Sequence, residues 1–189
     1  MRSTRCSASR ARSSRFVNNL AVILETERLR LREMDSALDA GFIFALLNTP
    51  KFLAFIGERG VRSIRDAAAF IENRYRPSYK DHGFGLYTVE SKAESVQIGI
   101  CGFVKRDSLP GPDIGFAFLP EFEAKGYGFE SASAMLRHGW ETLGFDRVLA
   151  VTSMDNEASE CLLKKLGFSF DGVKENDGES LKIYSIPGF

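Results

Sequence analysis

"PEFEAKGYGFESASAMLRHGW", residues 120–140, sets two glycines one residue apart where a helical pattern begins. Glycine costs a helix or strand roughly 0.5–1 kcal/mol relative to alanine, so a close pair implies that something approaches this backbone. The run follows a strand-like "DIGFAFL" (113–119) and leads into a stretch carrying Ala132, Met135, Leu136 and Trp140 at helical spacing. A strand end leading into a helix N-terminus presents unpaired N–H groups and a partial positive charge, a ready anion site. Glycines there let a pyrophosphate reach the backbone. A plain turn is the alternative. Two common phosphate loops are excluded, since there is no GxxxxGK[ST] and the pair lacks the third glycine of GxGxxG.

Upstream, "ETERLRLREMD" from Glu25 alternates, with Leu29 and Leu31 on one face and Arg28, Arg30 and Arg32 on the other, the period of a half-buried strand. Asp35 is positioned to cap a helix with Leu38, Phe42, Ala45 and Leu46 on one stripe, ending near Asn48 and Pro50. Ser63 and Asp66 resemble a capping box opening a second helix, with Phe70 and Ile71 turned inward. Residues 83–90, 95–106 and 113–119 read as a meander, with "DSLPGP" as a turn between antiparallel neighbours. After the helix at 128–143, "RVLAVTS" is a strand, Asn156 to Leu166 is a short helix closed by Gly167, and pieces at 168–172 and 180–186 are strands. The order β-αα-βββ-α-β-α-ββ predicts an α/β (α+β) sheet domain with no internal repeat.

The 189 residues, 44% hydrophobic and 26% charged, suffice for one compact core, and one domain over 22–189 is expected. Formal charge is zero, but Arg2, Arg5, Arg10, Arg12 and Arg15 precede the first acid, leaving 20 basic against 25 acidic residues in the body. That balance argues against nucleic-acid binding. The segment 1–21, Arg- and Ser-rich, is expected to be a disordered tail or to follow a start site set too far upstream; an organelle transit peptide has the same composition. Cys6, Cys101 and Cys161 form no CxxC pair and fit no metal spacing, so neither a disulfide framework nor a metal is expected. No apolar run approaches the ~20 residues of a membrane span. A soluble, cytoplasmic protein is expected.

"DNEASECLLKKLGF" (155–168), with "FLPEFEAKGYGFESA" before it, resembles the GNAT superfamily of acyl-CoA-dependent N-acyltransferases, most of all its RimJ/RimL-like branch. There the pyrophosphate loop reads roughly Q/R-x-x-G-x-G/A, and "EAKGYG" occupies it here. The later pattern N-x-x-S-x-x-x-L-x-K-x-G-F is met at Asn156, Ser159, Leu163, Lys165, Gly167 and Phe168, and "LETERLRLREMD" resembles the branch's first strand. The resemblance spans about residues 22–187. It implies a mixed, mostly antiparallel sheet with splayed central strands and flanking helices. In the gap, acetyl-CoA would lie along the strand backbone near Phe116 and Phe118. Its pyrophosphate would meet the N–H groups of Ala124, Lys125, Gly126, Tyr127, Gly128 and Phe129. Asn156 would touch pantetheine amides; its other reading is an N-cap. Glu123 departs from the family's Gln or Arg, and a carboxylate beside a pyrophosphate is unfavourable by about 1 kcal/mol near a surface unless it points away. Lys125 could compensate in part.

Transfer from a thioester to an amine needs a neutral nucleophile, a polarised carbonyl and a proton for the departing thiolate. Many members use a tyrosine as the acid, but Leu162 and Leu163 stand in that neighbourhood here, and the resemblance makes Ser159 the candidate. A helix-surface serine is its other reading. Asp113 is the candidate base, against a solvated turn carboxylate; Tyr87 and His82 are lesser options. Glu130 reads as a carboxylate favouring the helix dipole, and Cys161 as packing. The helix pair over 35–77 would wall the acceptor, an amine on a protein N-terminus or a small molecule, and a homodimer through strand or helix edges is compatible with the sequence. Two other functions compete: a non-catalytic acyl-CoA-binding module, suggested by Glu123 and the missing tyrosine, and a nucleotide-binding or interaction domain with a fortuitous loop.

Overall fold

A computed structural model describes residues 20–176 and 178–188. The Arg- and Ser-rich stretch 1–19 lies outside the described residues. One eight-stranded sheet organises the chain, in the order β1-β2-β3-β4-β5-β6-β8-β7. β1 (Val22–Glu25) and β2 (Leu29–Arg32) form a hairpin where the sequence suggested a single strand. The alternation in β2 is real for Leu29 and Leu31, both fully buried, but Arg32 does not face solvent. It forms a bidentate pair with Asp39 at 2.7 Å to each oxygen and reaches Glu90 at 2.8 Å.

That buried pair turns α1 (Ser36–Leu47) away from the expected stripe. Asp35 caps the helix by accepting from the Ala37 and Leu38 amides, as the sequence predicts. The inward residues, however, are Asp39, Ala40, Ile43, Leu46 and Leu47, while Leu38 is 49% exposed. α1 ends at Leu47 with Asn48 as its C-cap, as expected, and Pro50 opens a further helix: Thr49 accepts from the Phe52 amide at the head of α2 (Pro50–Phe55), with proline in the first turn where its missing N–H does no harm. Ser63 caps α3 (Ile64–Phe70) by accepting from the Asp66 amide, and Ile71 is fully buried. The chain then makes one π-helical turn, Ile71–Tyr75, and continues as α4 (Arg76–His82), ended by Gly83 in the left-handed region.

β3 (Leu86–Ser91), β4 (Val96–Val104) and β5 (Asp113–Phe118) are the expected antiparallel meander. A bulge opposite Val89 and Glu90 lets Ile98 share the face of Cys101 and Phe103 while Ile100 faces the other side. Helix α5 (Tyr127–Glu141), strand β6 (Arg147–Ser153) and helix α6 (Glu157–Lys165) follow. β7 (Ser169–Asn176) and β8 (Glu179–Pro187) outrun the expected 168–172 and 180–186. Met135, Leu136 and Leu163 from α5 and α6 pack on one face of the sheet with Leu29, Val89 and Tyr184. Ile43, Leu46, Phe52 and Ile71 pack on the other with Ile100. No helix among the described residues is long and apolar enough to cross a membrane.

Candidate active site

The sheet parts in its middle. β5 and β6 run parallel and pair at a single position, Asp113 with Leu149, where the Leu149 N–H donates to the Pro112 carbonyl at 2.9 Å. Beyond it the two strands diverge, each keeping its other neighbour. The Leu119 N–H donates to the Ile98 carbonyl at 2.9 Å. Alternation along an antiparallel ladder therefore turns the N–H and C=O groups of Phe116 and Phe118 away from β4, into the opening. A cavity of about 520 Å³ occupies it, lined by Phe116 and Ala117 on one side and by Val151, Asn156 and Ser159 on the other. The side chain of Phe118 takes no part in this lining; it packs toward Gly99 and Gly128.

β5 leads through a 3₁₀ turn, Pro120–Phe122, into the glycine loop. Ala124 and Gly126 both have positive φ, +57° and +83°. Two left-handed residues separated by one curl the backbone tightly, and only at Gly126 does the sequence supply the residue that adopts this without strain. The first helical hydrogen bond of α5 runs from the Glu130 N–H to the Gly126 carbonyl at 3.0 Å. The N–H groups from Lys125 to Phe129 precede it and find no acceptor among the described residues, leaving a concave set of donors at the positive helix end.

The two glycines have different causes. A Cβ at Gly128 would stand 3.1 Å from the Leu162 side chain and 3.6 Å from the Phe118 ring, so the close approach there is that of α6 and β5. Leu162, noted in sequence only as a missing tyrosine, is thus the residue that seats α6 against α5. A Cβ at Gly126 would come 3.3 Å from the Arg28 guanidinium. Arg28 is the site residue that alternation missed: it stands in the β1–β2 turn and leans onto the loop. It donates to the Lys125 carbonyl at 3.1 Å, lies 4.6 Å over the Tyr127 ring, and pairs with Glu130 at 2.6 Å. Glu130 also accepts from the Thr26 hydroxyl at 2.5 Å and the Arg28 amide at 3.0 Å. Burial pushes the Glu130 carboxyl up, but these donors outweigh it and hold it below its ordinary value. Its role is wider than favouring the helix dipole.

Glu123 is ion-paired with Lys51 at the head of α2, and this answers the electrostatic objection to it. Lys125 turns its ammonium toward the Phe122 ring, 5.2 Å from the centroid, and Phe129 is exposed. On the facing wall Asn156 is the N-cap of α6, its Oδ1 accepting from the Ser159 amide at 3.1 Å, which leaves its amide donors uncommitted. Both residues line the cavity, so capping and contact are compatible. Leu163 is core.

Asp113 sits at the closed end of the opening and lines the same cavity. It is 2% exposed, which removes the reading as a solvated turn carboxylate, and Arg106 Nε donates to its two oxygens at 3.0 and 3.1 Å. Burial pushes its carboxyl up and the guanidinium pulls it partway back, leaving it above the usual range. Tyr87 faces the opposite side of the sheet, stacked on Tyr79, with burial raising its hydroxyl to about 12; it is not at the cavity. His82 does reach the lining. Cys161 is exposed rather than packed, and it borders a different groove beside Lys164 and Lys182. Among the described residues no group of side chains could hold a metal ion.

A mixed sheet parted at its centre, with a donor-rich loop closing the parted edge, is the architecture of an acyltransferase. The chain belongs to the GNAT acetyltransferases: the acetyltransferase (GNAT) domain family matches residues 28–169. YoaA of Bacillus subtilis, named an uncharacterized N-acetyltransferase, is 32% identical over 152 residues, covering 80% of this chain and 85% of that protein. Among solved structures, an acetyltransferase from Agrobacterium tumefaciens superposes with a TM-score of 0.73 at 22% identity, covering 86% of this chain and 92% of that one. RimL, a ribosomal L7/L12 α-N-protein acetyltransferase, superposes with a TM-score of 0.75 at 15% identity, covering 89% and 94%. At those identities the two structures speak for the fold alone. Family membership removes the reading as a nucleotide-binding domain with a fortuitous loop.

Proposed function

We propose that residues 22–189 form a single domain that transfers the acetyl group of acetyl-CoA directly to a primary amine. The observation that carries this reading is the continuity of the opening: free strand backbone at Phe116 and Phe118 runs into the donor-rich loop at Ala124–Phe129, with Asn156 and Ser159 facing it. The strand edge suits the amides of a pantetheine arm, and the loop suits a pyrophosphate. Asn156 has amide donors for the same arm. The thioester supplies the acyl group; the chain's own residues position it and manage protons.

Ser159, on the first turn of α6 and lining the cavity, is the candidate donor of a proton to the departing sulfur. Asp113 is the candidate base. Its raised pKa brings it nearer the working pH than an ordinary carboxylate. An α-amino acceptor, with a pKa near 7.7–8.0, needs little help to lose its proton, whereas an alkylamine needs more. RimL's α-amine substrate is one precedent for the acceptor, and a small-molecule amine is the other. The binding-module reading loses its main support, because Glu123 is neutralised by Lys51.

Calorimetric titration with acetyl-CoA, followed by thiol release with amine acceptors, tests the proposal. Micromolar binding with acceptor-dependent release is expected; no binding at millimolar ligand would sink it. Ser159→Ala should reduce kcat by about 100-fold or more with little change in KM for acetyl-CoA, on the scale of a positioned proton donor. A wild-type rate would remove Ser159 from the mechanism.

A further inference from the structure

We propose that the acceptor amine carries a carboxylate, held by a basic wall of Arg59, Arg74 and Lys105. The inference rests on the reading of the cleft as the acetyl-transfer site and names the acceptor's chemistry. The three cations come from separate elements, the α2–α3 connection, the π-helical turn and the end of β4, yet all line the one cavity. None forms an ion pair with an acidic side chain among the described residues; Arg59 donates to the Ile56 carbonyl at 3.0 Å. Arg106 shares the lining but is neutralised by Asp113. Asp81 is the remaining acid in the lining, beside His82. The wall is therefore net positive.

These charges are not placed for the donor's phosphates. Lys105 follows Val104, which pairs with Asp113 at the start of β5, and the phosphate-binding loop lies beyond the other end. The five residue-to-residue steps of β5 put roughly 17 Å between its two ends. A second observation points the same way. Tyr75 is only 9% exposed and lines the cavity, yet its hydroxyl has no hydrogen-bond partner among the described residues. The ring is buried but the hydroxyl itself opens to the cavity, where a carboxylate oxygen would accept from it. Phe52, Phe55 and Phe70 complete the lining and suit an apolar body. Clustered cations also disfavour a bound ammonium and so favour the neutral amine that attacks the thioester.

Two matched acceptor pairs differ in one carboxylate: phenylalanine against phenylalaninamide, and the amidated tripeptides Ala-Glu-Phe against Ala-Gln-Phe. The purified full chain, acetyl-CoA and thiol release give kcat/KM for each. The carboxylate member of at least one pair should lead by about tenfold, the size of one charge-assisted hydrogen bond. The pair that shows it distinguishes a free amino acid from a peptide. The lead should shrink in Arg59→Gln, Arg74→Gln or Lys105→Gln while calorimetric affinity for acetyl-CoA stays as in wild type. Equal rates within both pairs, a lead that survives all three substitutions, or acetylation of no carboxylate member would each overturn the inference. Failure of the wild-type chain to bind acetyl-CoA would instead overturn the reading of the cleft beneath it.

Discussion

Arg28 ties the loop before α5 to the β1–β2 turn through the Lys125 carbonyl, the Tyr127 ring and the Glu130 carboxylate. The pair is too exposed, at 46% for the Arg28 side chain, to contribute more than about 1 kcal/mol to folding. Its effect is geometric: it holds the carbonyl of Lys125 and with it the shape of the loop that carries the following N–H groups. Arg28→Ala should therefore raise KM for acetyl-CoA about tenfold while leaving kcat and the melting temperature nearly unchanged, because it loosens donors that act on binding. An unchanged KM would show that the loop holds its shape alone. Gly128 carries the complementary lesson. Its need for a missing side chain was legible in the sequence, but the neighbour responsible, Leu162, is 34 positions away and could not be read from the loop.

Helix α1 is held by charge as much as by apolar burial. Asp39 is fully buried and accepts from Arg32, from the Asp35 backbone amide at 2.8 Å and from the Gln97 side-chain Nε2 at 3.3 Å. Removing one member of such a network strands the other in a poorly solvating interior. Asp39→Ala is expected to destabilise the protein by about 3–5 kcal/mol, measurable by urea denaturation, and Asp39→Asn by less. A loss below about 1 kcal/mol would mean that water reaches Arg32 when its partner is gone. This network also explains why Leu38, Phe42 and Ala45 of the expected stripe do not face inward, while Leu46 does. An apolar count along the helix favours that stripe, and a charged residue at position 39 counts against its own face, although pairing with Arg32 makes that face the buried one. The π-helical turn at Ile71–Tyr75 is a similar case: nothing in "IENRY" marks the extra residue, yet it belongs to the segment bringing Arg74 and Tyr75 to the cavity.

For the whole molecule, acid should be the weaker side. Glu160 is held at about 2 by hydrogen bonds from Lys164 and Lys182, and Glu25 and Asp66 are also lowered, by Arg30 with Lys92 and by the Ser63 and Arg62 donors respectively. A carboxyl whose folded pKa lies below its unfolded one contributes stability above the unfolded value, about 4.3 for glutamate, and loses it as pH falls through the folded one. Asp113 has the opposite sign, favouring the folded state below the ordinary aspartate value and losing that contribution as pH rises. The lowered group outnumbers it. Melting temperature should fall between pH 4.5 and 2, and Glu160→Gln should make the decline shallower; parallel profiles for the two proteins would show that the Glu160 contacts do not persist in solution.

The order of elements, the meander, the caps at Asp35, Ser63 and Asn156, and the family were legible in the sequence because each depends on residues close together in the chain. Periodicity, capping chemistry and turn residues act over a few positions, and the family pattern occupies two short stretches. The Arg32–Asp39 pair, the Glu123–Lys51 pair, the lean of Arg28 onto Gly126 and the convergence of Arg59, Arg74 and Lys105 on one cavity join separate elements. The tertiary structure alone decided those, because a side chain's charge and polarity tell what partner it needs but not which distant partner the sheet will bring to it.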